Sequence, residues 1–276
     1  MSEVDESDCI LITGAASGIG RHLAGRLLED GHRVVCTDID REAVEQWIGE
    51  GDYPQRQVCV QRLDVRQPDD WAEAFDRACE QFDQVDVLMN VAGYLKPCWL
   101  EKVTDADVDM HIDVNVKGVI YGTRAAAARM VERGDGHIIN IGSLASLTPV
   151  PGLSLYGASK FGVRGFSLSV AEELRAKGVD VSVVMLDAVK TPMLDLQVDH
   201  EEAALTFSGR RPLELSEVEQ LMVEDVLKQR PLEVTLPRTR GWLARFAGLV
   251  PDVVRLMQPL LERRGRNAQQ KFESSD

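Results

Sequence analysis

The run Thr13-Gly14-Ala15-Ala16-Ser17-Gly18-Ile19-Gly20 constrains this chain more than any other feature. Before it stands an apolar segment, Cys9–Thr13 (CILIT), that reads as a strand, and after it a segment that reads as helix to about Asp30. Gly14, Gly18 and Gly20 let the chain turn sharply and let the backbone come close to a pyrophosphate. The free N–H groups and the dipole at the start of the helix, from Ser17 and Ile19 onward, favour negative charge. Glycines often only make turns. A strand before and a helix after, near the N-terminus, make this one a dinucleotide loop.

The second apolar run is Arg33–Thr37, and Asp38 ends it. A carboxylate there accepts hydrogen bonds from ribose hydroxyls and repels a 2′-phosphate. Ile39 follows, and no arginine stands beside it to neutralise that phosphate. The expected cofactor is NAD rather than NADP. The plainer alternative is a solvated turn aspartate next to Asp40.

Further apolar runs follow at Val58–Leu63, Val85–Asn90, His137–Ile141 and Val179–Leu186, with a seventh candidate at Leu232–Leu236. Each is separated from the next by a helical pattern. The runs are rich in Val and Ile without clean polar alternation, as in strands buried on both faces. The expectation is an α/β fold, a doubly wound parallel sheet of about seven strands with helices on both faces and a C-terminal helical appendage. Residues 1–236 would form a single dinucleotide-binding catalytic domain and residues 237–276 a helical extension. With 276 residues, 44% of them hydrophobic, the chain can bury a large core.

Tyr156-Gly157-Ala158-Ser159-Lys160 places a tyrosine and a lysine four residues apart, on one helix face. A free phenol titrates near ~10, too high for a base at neutral pH, and a nearby ammonium would lower it. Such a pair is common on amphipathic helices, so its neighbours decide. Ser143 follows the His137–Ile141 strand, at the sheet edge where open α/β folds bind ligands. Its hydroxyl could polarise a carbonyl or hold an alcohol. Asn115 lies mid-helix, where Asn is a mediocre former, and could bend the helix or bind a water. Asn90-Val91-Ala92-Gly93 ends the fourth strand at the same edge.

From about Cys9 to Leu236 the chain resembles the short-chain dehydrogenase/reductase family. The features that carry the resemblance are Thr13–Gly20, Asp38, Leu63-Asp64-Val65, Asn90–Gly93, Asn115, Ser143 and Tyr156–Lys160. The resemblance implies a Rossmann-like seven-stranded parallel sheet, assembled as a homodimer or homotetramer. It also implies roles. Tyr156 would donate or abstract the proton, and Ser143 would position the substrate oxygen. Lys160 would lower the phenol and hold the nicotinamide ribose. Asn115 would support a water. Asp64 would contact the adenine and Asn90 the adenosine ribose region. Two departures stand out. Val91 replaces the second Asn of the family's usual NNAG. After the sixth strand the family usually has Pro-Gly-x-Val-x-Thr, and here Leu186-Asp187 replace Pro-Gly, while Val189 and Thr191 match and could bind the carboxamide. Asp187 is expected to cap a turn, with altered substrate choice as the alternative.

The implied activity is hydride transfer between NAD and a secondary alcohol or ketone, with a bulky apolar substrate of sterol, retinoid or long-chain type. The alternatives are an NADP-dependent ketone reductase and a non-catalytic dinucleotide-sensing protein on the same fold. Net charge is −14, a surface that repels nucleic acid phosphates and anionic membrane. From Pro237 on, however, eight basic residues stand against four acidic ones, where 23 and 41 precede them. That tail reads as two short helices over Gly241–Leu261, broken at Pro251. Three readings are open: a pair packed on the core or a subunit interface, a lid over the substrate, or an amphipathic membrane-surface element.

The five cysteines are scattered with no CxxC, and the five histidines form no ligand pattern, so no disulfide framework and no metal are expected. The N-terminal MSEVDESD lacks the pattern of a signal peptide, and no apolar run reaches the ~18 residues of a membrane span. The expected location is cytoplasmic, with peripheral membrane contact through the C-terminal helices left open.

Overall fold

Strand β1 (Cys9–Thr13) is buried along its whole length because its two faces serve two cores. Ile10 and Ile12 point to one, Cys9 and Leu11 to the other. The structure, a computed structural model, describes residues 8–273. In chain order it contains α1 (Gly18–Glu29), β2 (Arg33–Asp38), α2 (Arg41–Glu50), β3 (Val58–Arg62), α3 (Pro68–Phe82) and β4 (Val87–Asn90). There follow α4 (Asp105–Ile112), α5 (Gly118–Arg133), β5 (Gly136–Ser143), α6 (Ser154–Arg175) and β6 (Val179–Leu186). The last part holds α7 (Pro192–Asp195), α8 (Leu215–Gln220), α9 (Leu227–Gln229), β7 (Glu233–Leu236), α10 (Arg238–Leu249) and α11 (Pro251–Glu273).

The seven strands form one parallel sheet in the order β3-β2-β1-β4-β5-β6-β7. Leu23 and Leu27 of α1, Trp47 of α2 and Met222 cover one face. Trp71 and Phe75 of α3, Met130 of α5 and Leu174 of α6 cover the other. The winding reverses between β1 and β4, and in such sheets the crevice at the carboxyl ends beside the reversal is the ligand site.

Two predicted strands change by more than one residue. β4 begins at Val87, two residues after the predicted Val85. β5 runs on to Ser143, because it pairs with β6 residue by residue from Gly136–Val179 to Ser143–Leu186. Ser143 is therefore the last residue of the strand and not a residue beyond it.

The C-terminal helices are longer than predicted. The break does fall at Pro251, which opens α11 at a position where a missing N–H costs nothing. α11 then continues past Pro259 to Glu273. α10 packs beside β7, and α11 lies along the 3-10 segment Glu201–Ser208. Gly265 meets the Ala204 carbonyl there at a distance that leaves no room for a Cβ. Near the end of α11 the buried Gln269 side chain donates to the carbonyls of Gln197, Val198 and His200, at 3.0, 2.7 and 2.8 Å.

Candidate active site

The carboxyl ends of the central strands open into a cleft with a cavity of about 1140 Å³. At one end lies the β1–α1 turn. Gly14 adopts φ +74°, and a Cβ on it would stand 3.0 Å from Ala92 Cα, so only glycine lets the turn seat on the segment after β4. Thr13 fastens that contact: its Oγ1 accepts from the N–H groups of Val91 and Ala92, both at 3.0 Å. The role of Thr13 is thus to tie the turn down, a use for the lone hydroxyl in an otherwise apolar strand. Ser17 precedes α1 in extended conformation, no side chain caps the helix, and its first turn holds no acid. The N–H groups of that turn are thus unclaimed by side chains, and Ser17, Gly18, Ile19 and Gly20 line the cleft. This is a cradle that fits a pyrophosphate.

Asp38 lines the cleft beside Ile39. Its Oδ2 accepts from Ala16 N–H and its Oδ1 from Asp40 N–H, each at 3.0 Å. The nearby guanidinium groups have partners already. Arg41 pairs with Glu45 at 2.7 Å and Arg62 with Asp70 at 2.9 Å. Asp64 and Val65 also face the cleft, with an arginine that sequence reading passed over. Arg66 grips both carboxylate oxygens of Asp64, at 2.8 and 2.6 Å, and adds a backbone N–H at 3.0 Å. These contacts hold the Asp64 carboxyl below its usual range.

Asn90 departs from expectation. Ala92 and Gly93 line the cleft, but Asn90 does not. Its side chain is buried within the fold, where Nδ2 donates to Asn140 Oδ1 at 2.8 Å. As the last residue of a central strand it turns inward to a facing amide, so its part is to join β4 to β5.

Asn115 does mark an irregular stretch of its helix. It too lies off the cleft surface, wholly buried in a π-helical turn, Asp113–Lys117, between α4 and α5. Its Oδ1 accepts from Tyr94 N–H at 2.7 Å, and its Nδ2 donates to Tyr94 O and Ser159 Oγ at 2.8 and 2.9 Å. Asn115 thus locks the segment after β4 to α6 from behind. The wide π turn brings the amide within reach of both.

Ser143, Tyr156 and Lys160 form one wall. The Tyr156 hydroxyl is hydrogen-bonded to Ser143, whose Oγ also accepts from Ala145 N–H at 3.1 Å. Lys160, one turn along α6, donates from Nζ to Ile141 O at 2.8 Å and stands 5.6 Å from the centroid of the Tyr156 ring. Burial pushes the phenol up to about 12, against the pull of Ser143. Burial brings the Lys160 ammonium down to about 8. The sequence predicts an ammonium that lowers the phenol. In the structure desolvation dominates, Ser143 supplies the opposing pull, and Tyr156 is protonated at neutral pH.

Across the cleft, Val189 and Thr191 line it as predicted. Thr191 Oγ1 donates to Val189 O at 3.2 Å. Asp187 accepts from the Ala188 N–H, as a turn cap would, and also pairs with Arg240. The far wall is apolar and comes from the two variable segments. Met193, Leu194 and Leu205 supply one side, and Leu243, Ala247 and Leu261 of α10 and α11 the other. The C-terminal helices therefore roof the cleft. Arg210, Arg240, Arg255 and Arg264 stand in the same wall.

A family model described as short chain dehydrogenase matches residues 8–202. The NADP-dependent 3-hydroxy acid dehydrogenase YdfG of Salmonella typhi is 36% identical over 213 residues, 74% of this chain and 83% of that protein. The 3-oxoacyl-(acyl-carrier-protein) reductase FabG of Thermotoga maritima is 32% identical over 208 residues, 75% of this chain and 84% of that protein. Among solved structures, a short chain dehydrogenase/reductase from Burkholderia phymatum in complex with NAD superposes with a TM-score of 0.78 at 26% identity. It covers 92% of this chain and 96% of its own.

Proposed function

The chain belongs to the short-chain dehydrogenase/reductase family and is an oxidoreductase that binds NAD(P); on that premise we propose that it moves hydride between NAD and a secondary alcohol or ketone on a bulky apolar molecule. The observation that carries this reading is the wall of Ser143, hydrogen-bonded Tyr156 and buried Lys160 facing an apolar roof. Bound NAD supplies the hydride acceptor, or NADH the donor. Gly14 and the uncapped start of α1 would hold the pyrophosphate, Asp38 the adenosine ribose, Lys160 the nicotinamide ribose, and Val189 and Thr191 the carboxamide.

In reduction, Ser143 holds the carbonyl oxygen and Tyr156 gives it the phenolic proton. Oxidation is the reverse: the phenolate, formed when the phenol gives up its own proton to solvent, takes the hydroxyl proton as hydride leaves the carbon. The Lys160 ammonium, fixed on the Ile141 carbonyl, lies close enough to stabilise the phenolate formed in reduction. Asn115 keeps α6 in register with the segment after β4. Ala247 and Leu261 of the roof make the substrate side of the cleft apolar.

The preference for NAD rests on Asp38. Its carboxylate would meet a 2′-phosphate, and the cations around it are already paired. The relative YdfG is NADP-dependent by name, so cofactor choice is a property to measure on this chain. The four arginines in the substrate wall favour a second reading, in which the apolar molecule also bears an anionic group, as 3-hydroxy acids do. Residues 1–236 would carry the chemistry and 237–276 the roof, in a homodimer or homotetramer. The deciding test is NADH formation from a panel of bulky secondary alcohols and long-chain hydroxy acids. If no member is oxidised by the wild-type protein while NAD binds, the non-catalytic alternative stands.

A further inference from the structure

Helices α10 and α11 carry large apolar side chains that the rest of the described chain leaves uncovered. Trp242, Phe246 and Leu249 on α10 and Leu256, Met257 and Leu260 on α11 are between 50% and 81% exposed. The first three recur at i, i+4 and i+7, and the others at i, i+1 and i+4, one stripe on each helix. Single exposed leucines are ordinary, but stripes of this kind mark an interaction surface. Leu243, also exposed, and Met257 line the cleft as well, so each helix brings an exposed apolar side chain to it. Exposed Arg255, Arg263 and Arg264 sit on α11, and among the described residues none of the three forms an ion pair. Arg245 stacks its guanidinium 5.5 Å from the Trp242 ring centroid.

We propose that this helix pair docks on an anionic lipid surface, with the mouth of the cleft facing the bilayer. Apolar stripes with tryptophan, flanked by unpaired arginines, match the interface between head groups and acyl chains. Among the described residues no helix is long and apolar enough to cross a membrane, so the contact is interfacial. The acidic body of the chain weakens this attraction, and salt limits the distance over which it does so. Charges beyond about 8 Å are screened at 0.15 M salt, and the local sign belongs to the arginines of the tail. The competing occupant is a second copy. A two-fold contact through this face would set the arginines of α11 against their own kind and stopper the cleft.

Lipid binding is read without turnover, so it stands or falls separately from the oxidoreductase reading. The full chain is sedimented with vesicles of phosphatidylcholine containing about 30% phosphatidylglycerol at about 0.15 M salt. The protein is expected in the vesicle pellet, less with phosphatidylcholine alone. The double variants Leu256→Glu/Leu260→Glu and Arg263→Glu/Arg264→Glu are each expected to weaken partition by about tenfold or more. A measurement without those variants guards against misfolding: brominated lipid should quench wild-type emission, and Trp242→Phe should remove the quenching. Wild-type protein left in the supernatant, or undiminished binding by the leucine variant, overturns the proposal. So does an oligomer that the leucine variant dissociates while no vesicle binding is seen, since a second copy then covers the face.

Discussion

Asp187 at the end of β6 and Arg240 in the first turn of α10 form an ion pair, Oδ2 to Nη1 at 2.8 Å, in the wall of the cleft. Burial raises the Asp187 carboxyl, and Arg240 and the Ala188 N–H pull it back. The guanidinium occupies space that a Cβ on Gly209 would fill. The pair thus joins the catalytic sheet to its roof. Removing one partner strands a charge with little water around it, so Arg240→Ala is expected to destabilise the fold by about 3 kcal/mol. Adding Asp187→Gly should recover part of that loss. Urea unfolding of the four proteins of the cycle measures the coupling, and strict additivity would refute it.

Tyr156→Phe keeps the ring and removes the proton. Turnover on a verified substrate is expected to fall at least about 100-fold, with NAD affinity unchanged. Ser143→Ala loses a hydrogen bond but no proton carrier, so its loss should be smaller. Initial rates from NADH absorbance and binding by fluorescence separate the two effects. Wild-type rates in the phenylalanine variant would refute the role given to Tyr156.

Lys160, brought down to about 8 by burial, loses its charge far below the usual lysine range. The pH profile of kcat/KM reports groups of the free enzyme. It should therefore show an alkaline limb near pH 8 in both directions of the reaction. Lys160→Arg keeps the cation at every accessible pH, and the limb should disappear even where the rate is lower. A limb unchanged in that variant would assign it to another group.

Asp38→Ala removes the carboxylate that would repel a 2′-phosphate. Discrimination in favour of NAD, as a ratio of kcat/KM values, should fall by about tenfold or more. The same variant also loses the hydrogen bonds to Ala16 and Asp40 N–H. A thermal melt therefore accompanies the kinetics, to keep a loosened turn apart from a changed preference.

His137 lies wholly buried in β5, with Nε2 2.8 Å from Ser182 Oγ and Nδ1 without a hydrogen-bond partner. Burial pushes its pKa down to about 3, whereas an unfolded histidine titrates near about 6.5. Between these values the unfolded chain binds the additional proton. The folded state therefore keeps its full stability above about pH 6.5 and loses it as pH falls toward 3, by about 2 kcal/mol at pH 5 from this residue. His137→Gln should flatten that part of the acid limb in chemical denaturation across pH 4 to 7. An identical slope in the variant would place the effect elsewhere.

The strands and the loop were legible in the sequence because their signals are local. CILIT followed by glycines needs nothing else in order to be read, and the four-residue spacing of Tyr156 and Lys160 fixes a helix face by itself. What the sequence hides depends on distant parts of the chain. Asn90 and Asn140 are fifty residues apart in sequence, and nothing near Asn90 announces that its amide turns inward. Asn115 looks like a flaw in a helix until the π turn brings it to Tyr94 and Ser159. Arg66 could have been read, standing two residues from Asp64. Arg240 could not, because its partner Asp187 stands far back in the sequence, at the end of the neighbouring strand. The helix pair was visible by its period, yet only packing shows that it roofs the cleft.

The buried amide of Gln269, set against the carbonyls of Gln197, Val198 and His200, fastens the last described stretch of the chain to the segment that follows α7. On the proposed reading the proton chemistry and the selectivity belong to different parts of the chain, which pack along β7 and the segment Glu201–Ser208. An exchange of the final forty residues for another tail, with that amide kept as its peg, would present Tyr156 with a different clientele and leave its own trade unaltered.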